Sequence, residues 1–357
     1  MHTLALLWSH LVDWTSAHAV VPVAAALHAG AAADDAREIA QALLIACLQV
    51  FLIACVMRPL ESVWPHERWE DRELTTVDRQ YTLVMLGLFP LFSYLALRPF
   101  ADLFAGGTAA AGPGGLREWF PWFAAHPLAA FLAYYAAYDL CYYWMHRAQH
   151  AIPWWWALHS MHHSQRQMSC WTNDRGSYLD GVLQSFVLSL VGIALGVEPS
   201  EFALLVLLSE LVQNLSHANL RLQLGSVSRW AARIWVGPRF HRLHHMRRDP
   251  DRPALHNCNF GQVLSVWDSL FGTALHGEPV RPTGVSDPVV DADNGRGLVA
   301  MQWHTLKRFW AAVRHLEGWR LGDVHFGGPG LRPVHDDGTG GVHAPGEALV
   351  QPPTGSR

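Results

Sequence analysis

Apolar positions along this 357-residue chain gather into runs of membrane-spanning length, and the gaps between them are rich in Arg, Trp and His. A transmembrane helix needs about 20 predominantly apolar residues. Five stretches approach that length: residues 39–57, 82–104 (broken by Pro90 and Pro99), 127–145, 179–197 and 201–217. Only Glu198-Pro199-Ser200 separates the last two, so they read as a hairpin that enters a bilayer and returns. Residues 1–30 are apolar but interrupted by Asp13, His18 and His28. They lack the compact basic–apolar–cleavage layout of a signal peptide and predict an interfacial helix. Near the other end, Val299, Trp303, Leu306, Phe309, Trp310, Val313 and Leu316 recur at helical spacing, with Lys307, Arg308 and Arg314 between them. That pattern predicts an amphipathic helix, either lying on a membrane or packing on the cytosolic cap. From residue 322 the chain is rich in Gly and Pro without periodicity, which predicts a disordered tail.

The pattern predicts an all-α fold, an integral membrane helical bundle with a cytosolic histidine-rich metal-binding cap. Its expected segments are an N-terminal apolar segment (1–38), transmembrane helices with a connecting loop (39–126), a core that carries the chemistry (127–276), the amphipathic helix region (277–321) and the tail (322–357).

Composition narrows the picture. Half of the chain is hydrophobic, 16% is charged, and net charge is −4 with His neutral, so no nucleic-acid partner is expected. The five cysteines form no C-x-x-C pair, which excludes a zinc ribbon or a disulfide framework. Arginine sets an orientation. The segment 58–80 carries Arg58, Arg68, Arg72 and Arg79, the loop 105–126 only Arg117, and the stretch 218–252 carries eight arginines. With 58–80 in the cytoplasm, counting crossings puts every histidine cluster on the cytoplasmic side. Arg-over-Lys usage favours a bacterial inner membrane.

Histidine carries the chemistry. His146-x3-His150, His159-x2-His162-His163, His217 and His241-x2-His244-His245 lie at or near the ends of apolar runs. Residues i, i+3 and i+4 share a helix face, so each cluster can aim its imidazoles at one region. A structural zinc takes four ligands and a catalytic zinc three plus water. Nine nitrogens exceed either count and fit two ions with four or five histidines each. A zinc-dependent membrane lipid hydrolase predicts fewer histidines and an acidic ligand. A non-catalytic metal-binding or transport protein predicts ligands spread through the bilayer core. A bis-histidine haem protein needs two histidines per haem. Acids within apolar runs are expensive and usually functional. Asp139 and Glu210, each seven residues before a histidine, are therefore expected to support the metal shell, with Asn214 beside Glu210, or else to bridge helices. Trp154-Trp155-Trp156 reads either as an interfacial belt or as core packing, and Arg175 as a contact to the cap or to a lipid headgroup.

The runs Tyr142-Tyr143-Trp144-x-His146-Arg147-x-x-His150, Trp156-x-x-His159-x-x-His162-His163-Ser164 and His241-Arg242-x-His244-His245 resemble the fatty acid hydroxylase/sterol desaturase superfamily. So do Asn259-Phe260-Gly261 and Trp267-Asp268-x-x-Phe271-Gly272-Thr273, and the resemblance covers roughly residues 125–275. It implies a non-haem di-iron oxygenase with two Fe ions and O2 as co-substrate, acting on a lipid. It also implies an external electron donor of cytochrome b5 or ferredoxin type. Carried over residue by residue, the implied ligands are His146, His150, His159, His162, His163, His241, His244 and His245. His217 matches an additional histidine between boxes, with Gln213 at its usual partner's position, and His256 is a further candidate. Hydroxylation and desaturation both fit; a sterol-like, isoprenoid or other polycyclic lipid is expected over a simple acyl chain.

Overall fold

The computed structural model describes residues 2–26, 28, 35–84, 115–197, 199–221, 231, 233–248, 255 and 257–314. Among them there is no strand, and extended pairing is confined to isolated bridges such as Trp235 with Leu264. The principal helices are α1 (His2–Thr15), α2 (Ala36–Val63), α3 (Pro127–Ala151), α4 (Pro153–His163), α5 (Tyr178–Leu195), α6 (Pro199–His217), α7 (Pro238–His244) and α8 (Leu298–Arg314). α1 runs on through a π turn, Ser16–Val20, into Val21–Ala26. His256, the predicted stretch 82–104 beyond residue 84, the loop positions 105–114, Glu198 and the predicted tail lie outside the described residues.

α2 and α5 are long and apolar enough to cross a membrane, and only 28% and 17% of their apolar windows are buried. The core helix of a soluble protein would be mostly buried, so these faces suit a lipid environment. α3 and α6 cover two more of the predicted stretches but carry buried polar groups, Asp139 on one and Gln213 and Asn214 on the other. The hairpin turn comes earlier than its Glu-Pro-Ser sequence suggests. α5 ends at Gly196 in the left-handed conformation (φ 67°), and Pro199 already opens α6. Gly115 approaches so closely that a Cβ on Gly196 would lie 2.7 Å from its Cα, so glycine is required there for both space and φ.

α3 packs against α4 and α5, α6 against α7 and α2, and α1 against α2. Tyr134, Tyr138, Met145, Leu188, Leu205 and Val263 form the main apolar cluster beneath the histidines. α8 lies along α4, the cap-packing alternative, but with a different face inward. Met301 and Thr305 are buried, whereas Val299, Trp303 and Trp310 of the predicted apolar stripe are exposed. Polar anchors set this rotation: Gln302 donates to the Gly176 carbonyl, and Arg308 pairs with the buried Asp293.

Candidate metal centre

The break between α3 and α4 brings the first two boxes together. Ile152 precedes a proline and is extended (φ −92°, ψ 118°), as a pre-proline residue prefers, and Pro153 then takes the first turn of α4. The chain folds back, and ring centroids of His146 and His159 come within 5.1 Å. α7 starts the same way at Pro238 and carries the third box, while His217 ends α6.

Their ring nitrogens converge in two groups. His146, His150, His159 and His163 form the first, and His162, His217, His241 and His245 the second; in each, the candidate ligand atoms lie within 4.8 Å of one another. His244 joins the first group through its Nε2, 3.0 Å from Nε2 of His146. It also lies with His163 and His245 at the seam, where the last two rings stack 4.2 Å apart.

Hydrogen bonding shows what these nitrogens want. In His146, His162, His217 and His244, Nδ1 lies 2.7–2.9 Å from the carbonyl oxygens of Phe260, Arg175, Gln213 and Cys258 respectively. A carbonyl only accepts, so Nδ1 carries the proton and Nε2 presents a bare lone pair. The Gln262 amide nitrogen, Nε2, also lies 2.7 Å from Nδ1 of His146; with Nδ1 protonated, the amide takes the flipped orientation, which puts its oxygen at that place. Yet Nε2 of His162 faces Nε2 of His217 at 3.1 Å, as His146 faces His244. Facing lone pairs repel unless a cation stands between them. The Nε2 atoms of His150, His159 and His163 are likewise buried with no partner. Nitrogens about 2.1 Å from one ion and at right angles to each other would be about 3.0 Å apart, against about 3.4 Å in a tetrahedron. The contacts of 2.9–3.2 Å are short enough for such nitrogens to share one ion.

Burial keeps the ligands neutral. Desolvation, then neighbouring imidazoles, push His150, His162, His163, His241 and His245 well below the ordinary histidine range, and His244 to about 3. Neutral imidazole is the metal-binding form.

Around the rings sits a shell of anchors. Asp180, at the start of α5, accepts from His159 Nδ1 (3.1 Å), Trp155 Nε1 (2.8 Å) and Gln149 Nε2 (2.9 Å). The Phe260 and Cys258 carbonyls belong to a loop held rigidly in place. Asn257 and Asn259 are left-handed (φ 56° and 58°), a conformation asparagine tolerates. The Asn259 side chain bonds Phe240 O, Leu275 O and Leu275 N. Asp268 accepts from the Phe260 and Gly261 amides and from Thr273 Oγ1. A Cβ at Gly261 would sit 2.7 Å from the Leu264 carbonyl oxygen, so the loop closes this tightly only with glycine.

Three expected supporting residues contact no histidine directly. Asp139 accepts from the Val263 and Leu264 amides and from Trp267 Nε1, so it secures the loop that carries Phe260. Glu210 binds Asn173, and Asn214 binds Gln49 and the Cys170 carbonyl, which makes both of them bridges between helices. The carboxylate that does touch a ligand ring, Asp180, follows from the same rule about acids beside apolar runs, applied to 179–197. Arg175 takes the internal role: fully buried, it pairs with Asp78 at 2.9 Å and binds Ser164 and Asn294, while its own carbonyl holds His162. The Trp run packs over the cluster; Trp156 lies 4.9 Å from the His150 ring.

A family model described as fatty acid hydroxylase matches residues 131–273, the segment that holds all nine clustered histidines. Alkylglycerol monooxygenase of Homo sapiens is 30% identical over 196 residues, 55% of this chain and 41% of that protein. Its Danio rerio counterpart is 33% identical over 202 residues, covering 52% and 43%. An ornithine lipid hydroxylase of Rhizobium tropici is 28% identical over 158 residues, 44% of each. The chain thus spans less than half the length of the curated relatives it matches. No solved structure matches it.

Proposed function

We propose, from the membership of residues 131–273 in the fatty acid hydroxylase/sterol desaturase superfamily, that this protein is a membrane di-iron oxygenase that hydroxylates a C–H bond of a lipid with O2. The observation that carries the reading is the pair of facing Nε2 lone pairs, His146 to His244 and His162 to His217, which call for a cation in each group. One iron would be held by His146, His150, His159, His163 and His244, the other by His162, His217, His241 and His245. Bound there, the irons would activate O2 and supply the oxidant. The protein's residues do the rest. The carbonyls of Phe260, Arg175, Gln213 and Cys258 and the Asp180 carboxylate fix ring tautomers and directions. The buried cage keeps bulk water from the oxidant.

The relatives' names favour hydroxylation over desaturation. They also favour a polar lipid bearing linear chains, such as an ether lipid or an aminolipid, over the sterol-like or isoprenoid substrate expected from the sequence. Electrons would come from a separate cytochrome b5-type or ferredoxin-type donor. The arginine distribution supports a multi-pass protein with cytoplasmic histidines in a bacterial inner membrane. Gathering of all nine histidines in one buried cluster argues against a transporter, and the absence of a carboxylate among the grouped ligand atoms argues against a hydrolytic zinc site.

The test is metal analysis of the purified protein together with lipid profiling of cells with and without the gene. Two irons per chain and a lipid that gains one oxygen are expected. Zinc alone, with no lipid changed, would refute the reading.

A further inference from the structure

One indole of the cage shares its acceptor with a ligand imidazole. Trp155 donates its indole N–H to Asp180 Oδ1 at 2.8 Å, and Asp180 Oδ2 accepts from His159 Nδ1 at 3.1 Å. A ring nitrogen of the first group is therefore wired, through one carboxylate, to an indole. Trp155 in turn stacks on Trp154, with planes 5° apart and centroids 5.3 Å apart. Trp154 meets Phe309 of α8 edge-on at 6.0 Å, and Phe309 meets Trp310 at 5.5 Å. Trp310 is exposed at the surface. These spacings are ordinary aromatic contacts, so the rings form an unbroken path from the cage to solvent.

Indole is among the most easily oxidised side chains. Stacking with a parallel second indole spreads a positive charge over both rings. A carboxylate on the indole N–H gives the departing proton a place to go. The same carboxylate makes His159 a more basic ligand, so the indole and the metal ligand share one acceptor.

We propose that Trp155 and Trp154 are a redox-active pair that drains oxidising equivalents from the metal centre when no lipid is in place, an inference that rests on the oxygenase reading above. One electron leaves the Trp155 indole and reduces the oxidised metal centre by one equivalent. The indole N–H proton moves to Asp180 Oδ1. As the electron vacancy passes to Trp154, the proton returns from Asp180 Oδ1 to the Trp155 indole; the vacancy then moves across Phe309 to Trp310, where an external one-electron reductant fills it. The path spares the ligand histidines from oxidation during turnover without substrate.

The test uses full-length, iron-loaded protein mixed with hydrogen peroxide in the absence of lipid and freeze-quenched for electron paramagnetic resonance. An organic radical is expected whose hyperfine pattern changes when the tryptophans are deuterated. Trp155→Phe should abolish it in chains that still carry iron, and Trp154→Phe should alter its line shape. Trp310→Phe, a surface change that carries no folding risk, should lengthen its lifetime several-fold. Peptide mass spectrometry after repeated cycles should find added oxygen at Trp154 and Trp155. Iron-loaded protein that hydroxylates lipid yet shows no indole radical, or a radical indifferent to all three substitutions, overturns this proposal alone. A chain that takes up no redox-active metal overturns it together with the oxygenase reading.

Discussion

Replacing Asp180 with asparagine should empty one metal position and leave the other. The carboxylate is buried and accepts three N–H donors, from His159, Trp155 and Gln149, on two oxygens. Asparagine keeps the shape but turns one oxygen into an NH2 group, so at least one donor then faces another donor. Leaving a buried donor unpaired costs about 1–3 kcal/mol. His159 also loses the anion that holds its tautomer and raises its basicity, and such losses weaken metal binding roughly 10- to 100-fold, or about 1.4–2.7 kcal/mol. The second group has no contact to Asp180: its anchors are the Arg175 and Gln213 carbonyls, on His162 and His217. Stepwise competition with a chelator, read as metal per chain, should therefore show one ion released at roughly 10- to 100-fold lower chelator concentration and the other unchanged. Equal weakening of both ions, or of neither, would refute the assignment of His159 to a separate group.

Three other outcomes follow from the same geometry. His217→Ala removes one of four nitrogens from the second group and should cost one ion and the oxygenase activity while the first ion stays; retention of both ions would exclude His217 as a ligand. Asp139→Asn leaves one of the donors Val263 N, Leu264 N and Trp267 Nε1 facing an NH2 group, so thermal unfolding should show a loss of about 1–3 kcal/mol, with weaker metal retention as the Phe260 loop loosens. Acid should destabilise the metal-free protein. His150, His163, His241 and His245 have folded pKa values well below normal and His244 one of about 3, so between there and about pH 6.5 these histidines bind more protons in the unfolded chain than in the folded one. Their contribution to stability should be flat above about pH 6.5 and fall steadily below it; buried imidazoles that titrate near pH 6.5 by NMR in the folded metal-free protein would contradict the buried neutral cage.

Much of the site could be read from spacing alone, because a helix turns i+3 and i+4 spacing into proximity. The boxes on α4 and α7 needed no tertiary information to be recognised as clusters. What spacing could not supply were partners from elsewhere in the chain. Asp180 meets His159 across 21 residues and from a different helix, and the ring anchors at Cys258, Phe260, Arg175 and Gln213 are carbonyls, which every residue has. The family motif Asn259-Phe260-Gly261 was visible as a motif, but its purpose, aiming a carbonyl at His146, is a property of backbone conformation. The rotation of α8 escaped the pattern for a related reason. Apolar periodicity set Val299, Trp303 and Trp310 on one stripe without deciding whether it met the cap or a membrane, whereas the hydrogen bond from Gln302 and the Arg308–Asp293 pair fix which face meets α4.

The two groups also explain why the boxes on α4 and α7 have three histidines each. On α4, His159 and His163, four apart, point to the first group, and His162, displaced by about 60° around the helix, points to the second. On α7 the roles are exchanged: His241 and His245 point to the second group and His244 to the first. Each box therefore serves both centres, giving two nitrogens to one and one to the other, and the two boxes compensate. The remaining ligands follow the same exchange. α3 gives the first group an i, i+4 pair, His146 and His150, and α6 offers the second group Gln213 and His217 at the same spacing. Gln213 stands where this two-fold relation would place a tenth histidine. Its side-chain Nε2 is buried without a partner, while its main-chain carbonyl accepts from Ser216 Oγ and His217 Nδ1. The second centre is thus one imidazole short of the first, and the centres are inequivalent by construction.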